Sequence, residues 1–450
     1  MSTVYSVKKG LDIRLIGEAE KIVVDLNVKR FALKPPDFIG CFPKMLVKEG
    51  DSVKAGSPLF YDKYRDNIIY TSPVSGKFVE LRRGAKRKIL EVIIESDGKF
   101  ESVKFGAEDP EKVTKDKIVE KLLKSGLWPL IRQRPYAVVA NPNDRPKSIF
   151  VTAFDTAPLA PDLDLILKGR EEAFYAGLKI LTKLTEGKVH LNVHQKLNKE
   201  PLFLKAPDVQ VNTFDGPHPA GNVSVHVSRV DPINKGDVIW YLHAADVATI
   251  GHLFLTGEYD ATKIIALTGS EVQNPKYFRV RQGASIANMV ADNTVGDNNR
   301  FISGNVLTGT KIESTGFVGF YDHQVTVIPE GNYYEFLGWL KPGFDKWSYS
   351  KTFPAGLFKS KKKYRLDTNM HGGKRAFVVT GLYEQVFPFD IYPMHLMKAI
   401  LVEDIDLMEN LGIYEIDAED FALCEVIDPS KIDMQEIVRN GLELMRKEMS

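Results

Sequence analysis

Cysteine is nearly missing from this chain of 450 residues: Cys41 and Cys424, far apart, are all it has, and no CxxC occurs. An iron–sulfur cluster takes about four thiolates, and a structural zinc takes about four Cys, His or carboxylate ligands. Cysteine alone assembles neither here. Glycine stands at 34 positions but never as GxG, which removes the fingerprint that lets a dinucleotide fold approach pyrophosphate. An excess of one charge is missing too. Sixty Lys and Arg face 59 Asp and Glu, a net charge of +1, which gives no footing for nucleic acid. GxSxG and HExxH are absent. The longest apolar stretch, Val238 to Leu255, is interrupted by His243, Asp246 and His252. An aspartate at a bilayer centre is costly, so this stretch reads as a buried strand followed by a helix. Met1 to Gly10 has no apolar signal core.

What is present suits a globular protein of three or four domains. Residues 1–110 read as β, in β-branched runs such as Lys21–Asp25 and Ile89–Glu95 bounded by turn residues. Within them Val47–Gly56, Pro58–Phe60 and Tyr70–Gly76 have the pattern of a biotinyl/lipoyl-type barrel-sandwich hairpin. Its tip, Tyr61-Asp-Lys63-Tyr64, lacks the methionines that flank a carrier lysine. An amphipathic helix is expected over Glu111–Ser125, stopped by Gly126. Ser148–Ala153, a helix over Lys168–Thr185, Lys188–Val193 and Val209–Thr213 then alternate as a parallel α/β unit does. Thr262–Thr268, Tyr277–Val280, a short helix over Ala284–Ala291 and Phe301–Leu307 read as a small α+β module. Apolar residues from Met394 to Met408 fall at helical spacing, and a final helix is expected over Asp433–Glu448.

Few residues present themselves for chemistry. Gly216-Pro-His218-Pro-Ala-Gly221 follows a strand where open parallel sheets hold ligands. Gly216, His218 and Gly221 are therefore the candidate ligand loop, and a rigid connection serves the same composition. His190 and His194 lie on a strand-like run, and His226, His243 and His252 are scattered on apolar stretches, so buried structural histidines are expected and no metal site. Gly304 to Lys311 comes close to a phosphate loop, but the lysine is one residue late. Cys41 and Cys424 read as small buried side chains. Two basic runs, Arg82–Lys88 and Lys359–Arg365, read as solvated faces or contacts to anionic lipid or an acidic partner.

Taken in order, Phe60–Lys63, Thr71–Gly76, Arg83–Arg87, Ser148–Asp155, Leu184–His190, Gly216–Gly221, Val230–Pro232, Ile302–Gly309, Tyr321–His323 and Asp420–Cys424 make the chain resemble the NqrA family, the A subunits of Na+-translocating NADH:quinone reductases. The resemblance spans nearly the whole chain. It implies an α/β and α+β multidomain architecture: a barrel-sandwich domain over 1–110 with a connecting helix to about 127, a Rossmann-like α/β domain over 128–255, a β-grasp (SLBB-like) module over 256–335, and a helical region over 336–450. The layout is also similar to the flavin- and cluster-bearing chain of respiratory complex I and to the C subunit of Rnf complexes, whose extra cysteine motifs this chain lacks. Many relatives carry a second cysteine after the position of Cys424, before a proline. Asp428 stands there, ahead of Pro429.

By that resemblance the chain is expected to be a peripheral subunit on the cytoplasmic side of the bacterial inner membrane, with no transmembrane helix. Its complex couples electron transfer from NADH to quinone with Na+ export. NADH, FAD, FMN, riboflavin, a 2Fe-2S centre and quinone belong to the complex, and none of these cofactors is expected in this chain. Its expected partners are the other subunits, chiefly the flavin-bearing B subunit in the membrane, with quinone contact open and no nucleic acid. Docking, stability and shaping of the quinone site are its expected tasks. The alternatives are a stand-alone binder of a quinone-type small ligand, or a carrier modified at Lys63.

Overall fold

A computed structural model of the protein describes residues 4–197, 200–338, 340–354 and 362–449. The β-rich start folds as two small sheets. One holds Arg30–Leu33, Ile89–Ser96, Gly76–Arg83 and Ser52–Val53, and the other Pro43–Met45, Pro58–Asp62 and Arg65–Thr71. Leu59, Phe60, Ile68, Tyr70, Phe78, Val92 and Ile94 close between them with almost no exposure. This is the barrel sandwich. The amphipathic helix begins at Lys115 rather than Glu111, and Gly126 ends it in the left-handed conformation.

The second unit is a seven-stranded sheet in the spatial order Val4–Ser6, Gln210–Asp215, Val189–His194, Ile149–Thr152, Ile239–His243, Arg132–Arg134, Val138–Val139. The first five are parallel, and the last two run antiparallel to their neighbours. The run 238–255 is the expected buried strand followed by a helix, Ala244–Thr256. That helix crosses Glu171–Thr182, which starts three residues later than its periodicity suggests because Leu163–Leu167 forms a separate short helix. The crossing is tight. A Cβ on Gly251 would sit 1.8 Å from the Ala173 carbonyl oxygen, and one on Gly177 would sit 2.0 Å from that of Val247.

The β-grasp module is a six-stranded sheet: Thr310–Ile312, Asn299–Ser303, Gln324–Pro329, Thr262–Thr268, Lys276–Arg281, Glu20–Asp25. Its helix is one turn, Ala287–Val290, shorter than the apolar spacing suggests. Beyond it, among the described residues, the chain from 330 to 392 holds no α-helix. The helical region starts at Pro393. The Met394–Met408 pattern is divided between Pro393–Leu401 and Ile405–Asn410, with Glu403 at positive φ and Asp404 capping the second. The last helix runs Met434–Glu448.

The first residues of the chain join other units. Val4–Ser6 pairs with Gln210–Asp215, and Glu20–Asp25 pairs with Lys276–Arg281. Between them Gly10 passes so close to the Gly216–Gly221 loop that a Cβ there would lie 2.1 Å from the His218 carbonyl oxygen.

Candidate functional site

The chain leaves the strand Ile149–Thr152 toward Val189–His194 and later returns to its other side as Ile239–His243. The carboxyl ends of these two neighbours form the switch point where open α/β sheets bind ligands. Here the β-grasp module fills it. The Tyr321 hydroxyl donates to the Pro129 carbonyl at 2.7 Å, Gln324 Nε2 donates to the Pro158 carbonyl at 3.3 Å, and the His323 ring lies 6.4 Å from that of His243. The Arg132 guanidinium is held between the rings of Tyr241 and Tyr321, 4.5 and 4.2 Å from their centroids.

Beside this plug is a cavity of about 320 Å3 between the α/β and β-grasp units, lined by Arg170, Asp246, Thr249, Lys263 and His323 among others. Its charges are sparsely matched. Arg170 reaches Thr249 Oγ1 at 3.3 Å and Asp260 Oδ2 at 3.5 Å. Lys263 Nζ is held by the backbone carbonyls of Phe320 and Asp322. Burial lowers the pKa of both cations and raises that of Asp246. His323 is held neutral by burial and by Lys263, and both its ring nitrogens lack a well-formed hydrogen bond.

The candidate loop is not open. His218 is buried; its Nδ1 lies 3.1 Å from Thr156 Oγ1, its amide donates to Asp12, and burial takes its pKa down to about 4. Gly216 lies against Val7, and the Gly221 amide donates to Thr156 Oγ1 at 2.9 Å. The structure thus brings Gly216, His218 and Gly221 together as the clasp that holds residues 7–12. His190 and His194 share the strand Val189–His194, His190 tilted against Phe150 and His194 edge-on to Phe154. Burial holds His190 near 4, and His226 and His243 near 3. Gly304–Gly309 turns between two hairpin strands, and no helix follows it to meet a phosphate. Lys63 sits exposed at the hairpin tip with its Nζ 5.5 Å from the Phe42 ring.

Among the described residues the first basic run is matched by acids only at Arg82, and the second at Lys362, Lys363 and Arg365. Arg82 pairs with Glu80 and Glu91, and Arg83 caps the Arg87 carbonyl. In the second run Lys359 and Lys361 lie outside the described residues. Lys362 pairs with Asp345, Lys363 with Glu18, and Arg365 grips both oxygens of Glu271. Cys41 and Cys424 are free, and burial pushes the Cys41 thiol up to about 12. No group of three or more His, Cys, Asp or Glu is placed to hold a metal among the described residues.

A second polar cluster fastens the helical region to the sheet. Arg134, 2% exposed, pairs with Asp417 at 2.7 Å and with Glu419 at 3.0 Å. Asp420 accepts from Asn222 Nδ2 at 3.1 Å and from the Asp417 amide at 2.8 Å. Asp428 is fully buried. It accepts from the Tyr383 hydroxyl at 2.7 Å, the Ser430 amide at 2.9 Å and the Ile432 amide at 3.0 Å. A carboxylate with three donors is well placed there, and a thiol accepts weakly.

Three family models match the chain in order: the NqrA N-terminal barrel-sandwich hybrid domain over residues 5–97, the NqrA second alpha/beta domain over 113–259, and the NQRA C-terminal domain over 264–314. The A subunit of the Na(+)-translocating NADH-quinone reductase of Yersinia pestis bv. Antiqua (strain Angola) is 39% identical over 447 residues, covering 98% of this chain and 99% of that protein. The corresponding A subunit of Rhodopirellula baltica is 38% identical over 458 residues, covering 99% of each chain. Among solved structures, a chain of a NAD+-reducing [NiFe]-hydrogenase superposes with a TM-score of 0.33 at 11% identity, over 68% of this chain and 55% of that one, too loosely to bear on function. The end-to-end identity and the three domain matches place the chain in the NqrA family, the A subunits of Na+-translocating NADH-quinone reductase.

Proposed function

We propose that this chain is the peripheral, cytoplasmic-face component of a pump that couples NADH oxidation by quinone to Na+ export, and that it carries no redox centre. It docks on the flavin-bearing B subunit in the membrane, stabilises its neighbours and helps shape the quinone site, while NADH, flavins, the 2Fe-2S centre and quinone reside in the assembled complex. The observation that carries this reading is the correspondence, from end to end, with proteins named as the A subunit of that reductase. Two structural features support it. No helix among the described residues is long and apolar enough to cross a membrane. Tyr334, Phe336, Leu340 and Phe344 are each well exposed in the stretch ahead of the helical region, apolar surface available to a partner subunit.

The test is to express the chain in its host with Tyr334→Ser and Phe336→Ser, and to follow it in membrane fractions. Wild type should sediment with the other subunits, leave the membrane without detergent, and be colourless when pure. The double variant should appear in the soluble fraction. Stoichiometric flavin or iron in the pure chain, or membrane association unchanged by the two substitutions, would overturn the proposal.

A further inference from the structure

The junction between the α/β sheet and the β-grasp module has a cavity whose lining is not satisfied by the protein alone. Its walls come from both units. Asp246 and Thr249 belong to the first turns of Ala244–Thr256, and Arg170 is the residue that begins Glu171–Thr182. Two helices of 13 and 12 residues therefore start at the cavity, and helix starts carry partial positive charge and unpaired amides. Lys263 and His323 come from the opposite side.

Each of these side chains lacks something. Lys263 is 8% exposed and hydrogen-bonds only to backbone carbonyls, while Asp246, Asp322 and Asp37 act on its ammonium from beyond salt-bridge range. Arg170 makes two long contacts, 3.3 Å to Thr249 Oγ1 and a 3.5 Å ion pair with Asp260. Asp246 is 3% exposed and makes no salt bridge with any described residue; it accepts from the His243 backbone at the helix start, and Lys263, Arg132 and Arg170 act on it from beyond salt-bridge range. His323 keeps both ring nitrogens out of solvent and without a hydrogen bond of normal geometry, apart from a weak contact at the Ile264 backbone. A buried polar group left without a partner costs about 1–3 kcal/mol, and folded proteins keep such groups few. Burial disfavours the charged form of Arg170, Lys263 and Asp246 alike, and the carboxylates around the cations, Asp246, Asp322 and Asp37 for Lys263 and Asp260 and Asp246 for Arg170, offset it only in part.

We propose that this cavity is a binding site for a tetrahedral oxyanion: phosphate, or the phosphate end of a small monoester. Acceptor oxygens arranged in three dimensions meet Arg170 on one side and Lys263 and His323 on the other. A single P–OH proton serves Asp246. A carboxylate is flat and has no donor for Asp246, and a cation would face Arg170 and Lys263. The volume of about 320 Å3 lies at the small end of ligand pockets, which begin near 300 Å3, so a phosphate with a short polar body fits the space. The inference is independent of the docking role proposed above.

The experiment is calorimetric titration of the whole chain with inorganic phosphate, ribose 5-phosphate and acetate at constant ionic strength, in wild type, Arg170→Gln, Arg170→Lys and Lys44→Met as a remote control. Saturable one-site binding of phosphate or ribose 5-phosphate is expected, weakened about tenfold or more by Arg170→Gln, the scale of one lost charge-assisted hydrogen bond. It should be partly retained by Arg170→Lys and unchanged by Lys44→Met. Tighter binding of ribose 5-phosphate than of phosphate identifies a monoester as the occupant, and equal or weaker binding identifies free phosphate. Should Arg170→Gln fail to fold, the wild-type His323 ring resonances supply the readout, and phosphate should shift them. Overturning results are unsaturable heats, as from an adventitious ion only, equal affinity in a folded Arg170→Gln, or His323 resonances that do not move.

Discussion

Replacing Arg134 by Met should loosen the helical region from the sheet, and the loss should depend on pH in a direction fixed by the cluster. Arg134 is the cation between Asp417 and Glu419, with Asp420 nearby. Removing one partner of a buried pair strands the other, at about 3–5 kcal/mol. Glu419 is about one-third exposed, so solvent relieves part of this and the lower end, about 3 kcal/mol, is expected. That corresponds to a roughly hundredfold rise in local opening. Burial raises Glu419 to about 7 and Asp420 to about 6, and Arg134 opposes both shifts. A carboxyl raised on folding contributes stability fully below its unfolded pKa and loses it as pH climbs through the folded value. At pH 8 both groups are ionised in the wild type and depend on Arg134; near pH 5 both are mostly protonated and depend on it less. Hydrogen exchange of the amides over 418–427 should therefore quicken about a hundredfold in Arg134→Met at pH 8, relative to wild type at the same pH, and much less at pH 5. Adding Asp417→Asn and Glu419→Gln should recover most of the loss, because the stranded charges are then gone. A gap under about fivefold at pH 8, or one that does not narrow at pH 5, would refute the reasoning.

Three further outcomes can be checked on the whole chain. Asp428→Cys removes the acceptor of three hydrogen bonds and should lower the denaturation midpoint by about 2–3 kcal/mol in equivalent free energy; an unchanged midpoint would show that the carboxylate is not the anchor. Gly251→Ala drives a methyl into the Ala173 carbonyl and should cost at least about 1–3 kcal/mol by overpacking, whereas Gly236→Ala, where a Cβ meets open space but φ is positive, should cost less in thermal unfolding. His190, His218, His226 and His243 are all held well below their ordinary pKa by burial. Their depressed values mean that stability present above pH 6.5 is lost as pH falls toward 4 and 3, by up to about 1.4 kcal/mol per pH unit for each histidine. Urea midpoints measured from pH 7 to pH 5 should fall accordingly, and His226→Gln should flatten the slope.

The domain types were legible because each has a local signal. Gly50, Gly56 and Pro73 mark the barrel-sandwich turns, and the strand–helix alternation after Ser148 marks the parallel sheet. Individual helix ends were less legible. Asp404 after a positive-φ residue splits one apolar pattern into two helices, and apolar spacing alone does not register that break. The candidate cavity left two traces in the sequence: Asp246 inside an otherwise apolar run, and Lys263 inside an apolar strand. Each looks like a local exception until the β-grasp module brings them to one space. His218 sent the opposite signal, since its loop composition suits a ligand cleft. What closes it is residues 7–12, more than two hundred positions away, which no local pattern reports. The partners of Arg134, Asp417 and Glu419, lie farther still along the chain.

The N-terminal strands have a consequence for biosynthesis. Val4–Ser6 cannot be paired until Gln210–Asp215 has left the ribosome, and Glu20–Asp25 must await Lys276–Arg281. At roughly 5–20 residues per second, the Val4–Ser6 strand stays unmated for about ten seconds or more while the barrel sandwich behind it can already close. Once captured, that segment ties two later-made sheets to the barrel sandwich by backbone pairing as well as by the covalent chain.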